Sequence, residues 1–272
     1  MSSRIPPLLQ PYLALPPEAS LILLTNVLGA TSNWLVLRYL CSYLKTAAGR
    51  ESGIEDGTPS ESVGLVLLSF LRDGTFWREG VSKLGLDLDA LGRAGRYAFV
   101  DGLTGLFAGD ASSSTTGNSK ERVLRSNKLD DISKELQAAL GNVTASKKIL
   151  IIDQLDVLLA ASGDDLTSIA VQNLVLLLRE HAHAVVLTLA ADQPLVQAQA
   201  TTLERQHAAL LLGLAHQADT VLALRRLDTG SARDVSGVVR ITAGGEAAED
   251  DDKEYLYHVA ADGNVKVFER GA

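Results

Sequence analysis

The residues best placed to do chemistry lie where an apolar strand-like run, Leu21-Ile22-Leu23-Leu24-Thr25, meets a turn over Asn26 to Asn33 and then a helical stretch from Trp34 to Lys45. A phosphate loop G-x-x-x-x-G-K-[ST] occupies this strand–turn–helix junction in nucleotide hydrolases. Its backbone N–H groups cradle the phosphates, its lysine reaches the β- and γ-phosphates, and its hydroxyl serves Mg²⁺. The turn here is Thr25-Asn26-Val27-Leu28-Gly29-Ala30-Thr31-Ser32. Gly29 and the terminal hydroxyl of Ser32 are retained, but Thr31, or Ala30 in the neighbouring register, stands where the lysine belongs. Lys45 is the nearest lysine, and at about 1.5 Å per helical residue it would sit ~18 Å from the turn. Losing one preorganised contact to a transferring phosphoryl group typically lowers the rate on the order of 10²- to 10³-fold. The expectation is an ATPase-like scaffold without its chemistry and without a bound cofactor, although a helix N-terminus still attracts anions.

A second acidic signal follows the run Lys148-Ile149-Leu150-Ile151-Ile152, which ends in Asp153. An apolar strand ending in Asp is the Walker B pattern, whose carboxylate holds Mg²⁺ in active enzymes. With the lysine missing, the reading preferred for Asp153 is a cap of the next helix or an anchor of a turn. His181 and His183 form an H-x-H pair without a third ligand at a recognised spacing, and His is favourable near a helix C-terminus on dipole grounds alone. No G-x-S-x-G elbow and no G-x-G occur, so serine-hydrolase and dinucleotide fingerprints are excluded. Cys41 falls inside an apolar helical pattern, where a core thiol is the ordinary reading.

Two basic groups remain. Lys120, Arg122, Arg125 and Lys128 lie at the end of a Ser/Thr-rich stretch, and Arg225, Arg226 and Arg233 flank Asp228-Thr229-Gly230. Groups of this size are usually solvated faces. Arg225 and Arg226 have a sharper alternative: in ring-forming ATPases a residue after the last parallel strand projects into the neighbouring subunit as an arginine finger.

These residues need a scaffold, and apolar runs of strand length alternating with amphipathic helical segments predict one: an α/β fold with a mostly parallel central sheet flanked by helices. Strands are expected at Leu21 to Thr25, Val63 to Ser69, Tyr97 to Val100, Lys148 to Ile152, Ala184 to Leu189 and Thr220 to Leu224. Helices are expected at Trp34 to Thr46, Phe76 to Leu84, Leu129 to Leu140, Asp165 to His181 and Leu203 to Leu214. Beyond Arg226, Val235 to Thr242, Tyr255 to Ala260 and Val265 to Glu269 read as antiparallel C-terminal strands, with a turn at Asp262-Gly263 or Gly263-Asn264. Ala48 to Ser62, Gly109 to Asn127 and Gly244 to Lys253 read as surface loops. The 272 residues, 46% apolar, suit a single domain over 1–272, with 1–18 as an N-terminal extension and 227–272 as the antiparallel part.

The net charge is −8, of which Glu246, Glu249, Asp250, Asp251, Asp252 and Glu254 with Lys253 contribute −5. The remainder is nearly balanced, which argues against a chain coated in positive charge but leaves room for a nucleic-acid site shared with partner subunits. Cys41 is the single cysteine, so no internal disulfide forms. The opening residues lack the charge and apolar pattern of a secretory signal, and no apolar run approaches ~18 residues, the length of a membrane span. A cytoplasmic or nuclear location is expected.

Taken together, Ile149 to Leu159, Leu211-Leu212-Gly213-Leu214-Ala215-His216-Gln217, Thr229 to Gly237, and the closing Tyr255-Leu256-Tyr257-His258 to Phe268 resemble the family of the sixth subunit of the Elongator complex, over about Leu21 to Gly271. That resemblance implies a RecA-like fold lacking ATPase motifs. It also implies assembly with the fourth and fifth Elongator subunits into a heterohexameric ring that binds tRNA and assists the catalytic Elongator subcomplex in wobble-uridine modification, without itself being an enzyme. In such rings the loop after the strand ending near Leu189 faces the central opening. Here that loop is Ala191 to Thr202, with Asp192, Gln193, Gln197 and Gln199 and no cation before Arg205, a composition suited to hydrogen bonding more than to phosphate neutralisation. Two other functions compete: an active RecA- or circadian-clock-type ATPase with an unusual phosphate loop, and a protein-interaction module unrelated to RNA. The apolar richness of Leu203 to Leu224 and the edges of such a sheet further predict an unstable monomer.

Overall fold

The computed structural model describes residues 5–49, 62–107, 121–227, 232–244 and 252–270. In chain order the elements are β1 (Ser20–Asn26), α1 (Asn33–Gly49), β2 (Val63–Ser69), α2 (Gly74–Ser82), α3 (Leu88–Arg93), β3 (Tyr97–Asp101), α4 (Thr104–Phe107), β4 (Arg122–Val123), α5 (Leu129–Asn142), β5 (Lys147–Asp153), α6 (Val157–Ser162), α7 (Ser168–Arg179), β6 (Ala184–Ala190), α8 (Thr202–Gln217), β7 (Thr220–Arg225), β8 (Gly237–Ala243), β9 (Lys253–Val259) and β10 (Val265–Phe268). They form one sheet in the order β10-β9-β8-β7-β1-β6-β5-β2-β3-β4. Pairing is parallel from β7 through β4 and antiparallel from β7 outward to β10.

The central parallel strands β1, β2, β5 and β6 are largely apolar because both faces are covered. Alternate residues serve opposite layers. Leu21, Leu23, Leu150, Ile152, Val185 and Leu187 pack against α5 to α8, whereas Ile22, Leu24, Ile149, Ile151 and Val186 pack against α1 to α3. The N-terminal extension belongs to this second layer: Leu9 and Leu13 are fully buried, and Leu13 O accepts the Ser42 hydroxyl at 2.6 Å.

Helix starts follow their caps. Asp73 accepts from Phe76 N at 2.8 Å, so α2 begins at Gly74, ahead of the expected Phe76. Thr167 accepts from Ala170 N at 3.3 Å and starts α7 at Ser168, later than the expected Asp165. Thr201 and Glu204 form a reciprocal capping box at α8. The edge that a parallel sheet would leave open at β7 is covered by β8, which pairs along Thr220 to Arg225. The expected loops at Ala48 to Ser62 and Gly244 to Lys253, the basic residue Lys120 and the turn Asp228-Thr229-Gly230 lie wholly or largely outside the described residues.

Candidate functional site: a closed phosphate turn

The turn after β1 is tight. Ala30 N donates to Val27 O at 2.8 Å, and Gly29 has φ +89°, which makes Val27 to Ala30 a type II turn with glycine at the position that requires positive φ. A second amide is taken by a side chain 164 residues further along the chain: Leu28 N donates to Asp192 Oδ1 at 2.8 Å. Two N–H groups of the turn therefore face protein acceptors, and the second meets a carboxylate where a phosphate loop would meet the phosphate itself.

The remaining motif positions are committed elsewhere. Ser32 is fully buried, its hydroxyl accepts from Asn26 Nδ2 at 3.0 Å, and its carbonyl accepts from Leu35 N and Val36 N to start α1. Its oxygen faces the core and not an open metal position. Thr31 is exposed, and its hydroxyl accepts from Asn33 N at 3.3 Å. Lys45 donates to Leu84 O at 2.5 Å, just past the C-terminal end of α2. Arg226 packs over the turn: a Cβ added to Gly29 would lie 3.2 Å from Arg226 Cδ.

Asp153 ends β5 as expected, but it does not cap a helix. It is fully buried, Oδ2 accepts from the Ser69 hydroxyl at 2.8 Å and Oδ1 from the Thr188 hydroxyl at 2.9 Å. The carboxylate staples β2, β5 and β6 together. It reaches sideways because the α6 N-cap is Asp156, three residues on, and Asp156 makes no side-chain cap bond. Burial pushes the Asp153 carboxyl up to about 6, against the opposing pull of its two hydroxyl donors. Asp156 is also shifted upward by burial, with His207 acting in the opposite sense from 3.9 Å.

The loop after β6 holds its polar residues in bonds of its own. Gln193 Nε2 donates to Gln197 Oε1 at 2.8 Å across a π-helical turn over Pro194–Ala198, and Gln199 Nε2 donates to Val196 O at 3.0 Å. Arg205 donates to Ala200 O at 3.0 Å. Arg225 pairs with Glu254 at 2.9 Å, Arg233 is exposed, and Arg122 pairs with Glu135 at 2.9 Å. His181 Nδ1 meets Leu177 O, and His183 Nε2 meets Pro16 O, so the two rings of the H-x-H pair serve different segments. Among the described residues no group of three or more His, Cys, Asp or Glu could hold a metal, and no helix is long and apolar enough to cross a membrane. The Asp192 contact and the Ser69–Asp153–Thr188 staple had no sequence signal, because each joins residues far apart in the chain.

Comparison with solved structures finds the fold in a KaiC-like protein from the hyperthermophilic archaeon Pyrococcus horikoshii OT3. The TM-score is 0.56 at 16% identity, covering 98% of this chain and 97% of that one. This likeness establishes the RecA-like architecture. No curated protein matches the sequence. The family described as Elongation complex protein 6 matches residues 9–261, nearly the whole chain. The polypeptide, with its RecA-like sheet and closed phosphate turn, belongs to the family of the sixth Elongator subunit.

Proposed function

We propose that this chain is a non-catalytic subunit of the Elongator accessory ring. It assembles with the RecA-like fourth and fifth subunits into a heterohexamer, contributes to a composite tRNA surface, and supports wobble-uridine modification by the catalytic subcomplex. The Leu28 to Asp192 bond carries this reading: a fixed carboxylate takes an amide of the phosphate turn and repels any phosphate brought there. The same end of the sheet carries exposed apolar side chains. Leu28, Leu71 and Phe107, each following the C-terminal end of a parallel strand, are 85%, 44% and 49% exposed, which suits a subunit contact better than a polyphosphate.

In this reading Arg225 and Arg226 face a neighbouring subunit, and Gln193, Gln197, Gln199 and Arg205 contribute hydrogen bonds to tRNA while the partners supply most of the charge. Native mass spectrometry of the chain co-expressed with the two partner subunits tests it. A six-membered assembly that binds tRNA, and that is lost on Leu28→Asp, is the expected result. ATP hydrolysis by the isolated chain, abolished by Asp153→Asn, would replace this function with that of an ATPase. An assembly indifferent to tRNA would leave only an interaction module.

A further inference from the structure

Arg38, on α1, is 4% exposed. Its Nη2 donates to Gly263 O at 2.8 Å, its Nε has no hydrogen-bond partner, and among the described residues no carboxylate pairs with it. A guanidinium keeps its charge in a protein, and a buried charge without a counter-charge is costly. Burial lowers the Arg38 pKa from its ordinary value, with the nearby Cys41 acting in the other direction.

Arg38 lines a cavity of about 380 Å³ between the turn after β1, α1, α2 and the turn joining β9 to β10. That volume is at the lower end of the range for small-molecule sites. The walls are apolar and aromatic: Trp34, Leu37, Phe76 and Tyr257 line it, and Trp34 lies against Tyr257 with ring centroids 4.9 Å apart. Trp34 and Arg38 are one helical turn apart and so share a face of α1. Two other charged residues line the cavity, Glu79 and Lys83, both exposed, and their charges offset one another. Asp262, beside the turn, is engaged with Asn264, whose backbone N–H donates to it at 2.9 Å. The cavity therefore carries a net charge of about one positive unit, centred on the Arg38 guanidinium, whose donors beyond the Gly263 bond suit a carboxylate.

We propose that this cavity binds a small amphipathic monocarboxylate, with its carboxylate on Arg38 and its apolar body against Trp34, Phe76 and Tyr257. A phosphate monoester, carrying about −1.5 to −2 at neutral pH, exceeds the available charge and wastes the aromatic walls. The cavity borders the tight turn after β1, whose Gly29, Ala30 and Thr31 form part of its wall, and the ligand proposed for it is not a nucleotide.

The test uses phenylpropionate as probe, phenylpropionamide as its uncharged counterpart and inorganic phosphate as competitor, with the full chain followed by calorimetry and saturation-transfer NMR. Saturable one-to-one binding of phenylpropionate is expected, with the amide weaker by about tenfold or more, the worth of a charge-assisted hydrogen bond. Arg38→Gln should bring the carboxylate down to the affinity of the amide. Should Arg38→Gln fail to fold, Ala261→Phe carries the test. Ala261 is exposed at the cavity's edge, and a phenyl group there closes the entrance with Arg38 intact, so binding should fall at least as far at an unchanged melting temperature. The assignment is overturned if folded wild-type chain gives no saturable binding, if the amide binds as well as the acid, if Ala261→Phe binds normally, or if phosphate displaces the probe at lower concentration than a carboxylate does.

Discussion

The backbone N–H of Leu28 and the carboxylate of Asp192 meet at 2.8 Å, joining the turn after β1 to the loop after β6 across 164 residues of sequence. β1 and β6 are paired neighbours in register from Ser20 and Ala184 to Asn26 and Ala190, so their C-terminal ends emerge side by side and the bond spans adjacent loops. In an active relative of this fold class an anion would come from the nucleotide; here one is part of the chain. Removing it should loosen the turn without creating a nucleotide site, because no lysine replaces it. Asp192→Ala is expected to lose about 1 kcal/mol of stability. For a chain of this size that lowers Tm by ~2–4 °C. Differential scanning calorimetry measures the loss, and a fluorescent ATP analogue should still show no saturable binding.

Asp153 gives a pH signature. Its folded-state pKa of about 6 lies above its ordinary value of 3.8, so the native state holds this proton more tightly than the unfolded state does. Its contribution therefore favours the fold below pH 3.8 and is lost as the pH rises through about 6. At roughly 1.4 kcal/mol per pKa unit the two-unit shift is worth about 3 kcal/mol between those limits. Asp153→Asn, which can accept from one hydroxyl and donate to the other, should flatten the stability curve across that window. Urea unfolding at a series of pH values, compared between the two proteins, reads the difference directly; parallel curves would remove Asp153 as its source.

Gly29→Ala meets two penalties at one atom. The φ of +89° is strained for any residue with a Cβ, and that Cβ would sit 3.2 Å from Arg226 Cδ. A loss of about 1–2 kcal/mol is expected from the backbone strain. Shortening Arg226 to Ala in the same chain should return the packing part but not the strain. A double-mutant cycle by urea unfolding would then show a favourable coupling, whereas strict additivity would mean that Arg226 moves aside freely.

The sheet is legible in the sequence because two-sided burial makes the central parallel strands mostly apolar runs, such as Val63 to Leu68 and Ala184 to Leu187. The longer helices were equally plain, and their true starts were written one residue ahead of them in Asp73, Thr167 and Thr201. Short elements were not: α3, α4 and α6 span two turns or fewer, too little for a helical period to declare itself. The site was half legible. The missing lysine can be read at Thr31, but the closure of the turn by Asp192 depends on strand order. The role of Asp153 depends likewise on Ser69 and Thr188, brought beside it from 84 residues upstream and 35 residues downstream. The burial of Arg38 has no local signal either, because the β9–β10 turn that meets its guanidinium lies more than 200 residues further along the chain.

The sharpest consequence concerns restoring the missing charge. If the absent lysine were the only defect, Thr31→Lys would rebuild the motif, since position 31 is exposed and can accept a long side chain without disturbing the core. The geometry says otherwise. Ala30 N is spent on Val27 O, Leu28 N on Asp192, and the Ser32 hydroxyl is buried against Asn26, so a new ammonium would stand beside a turn that presents neither these amides nor that hydroxyl to a phosphate. Thr31→Lys is therefore expected to keep the wild-type Tm within about 1 °C, as solvent-exposed substitutions usually do, and to show no ATP turnover above the wild-type background in a coupled phosphate-release assay. Turnover appearing with this single change would mean that the turn opens readily, and that the absence of turnover proposed for this chain would rest on one side chain and not on the shape of the loop.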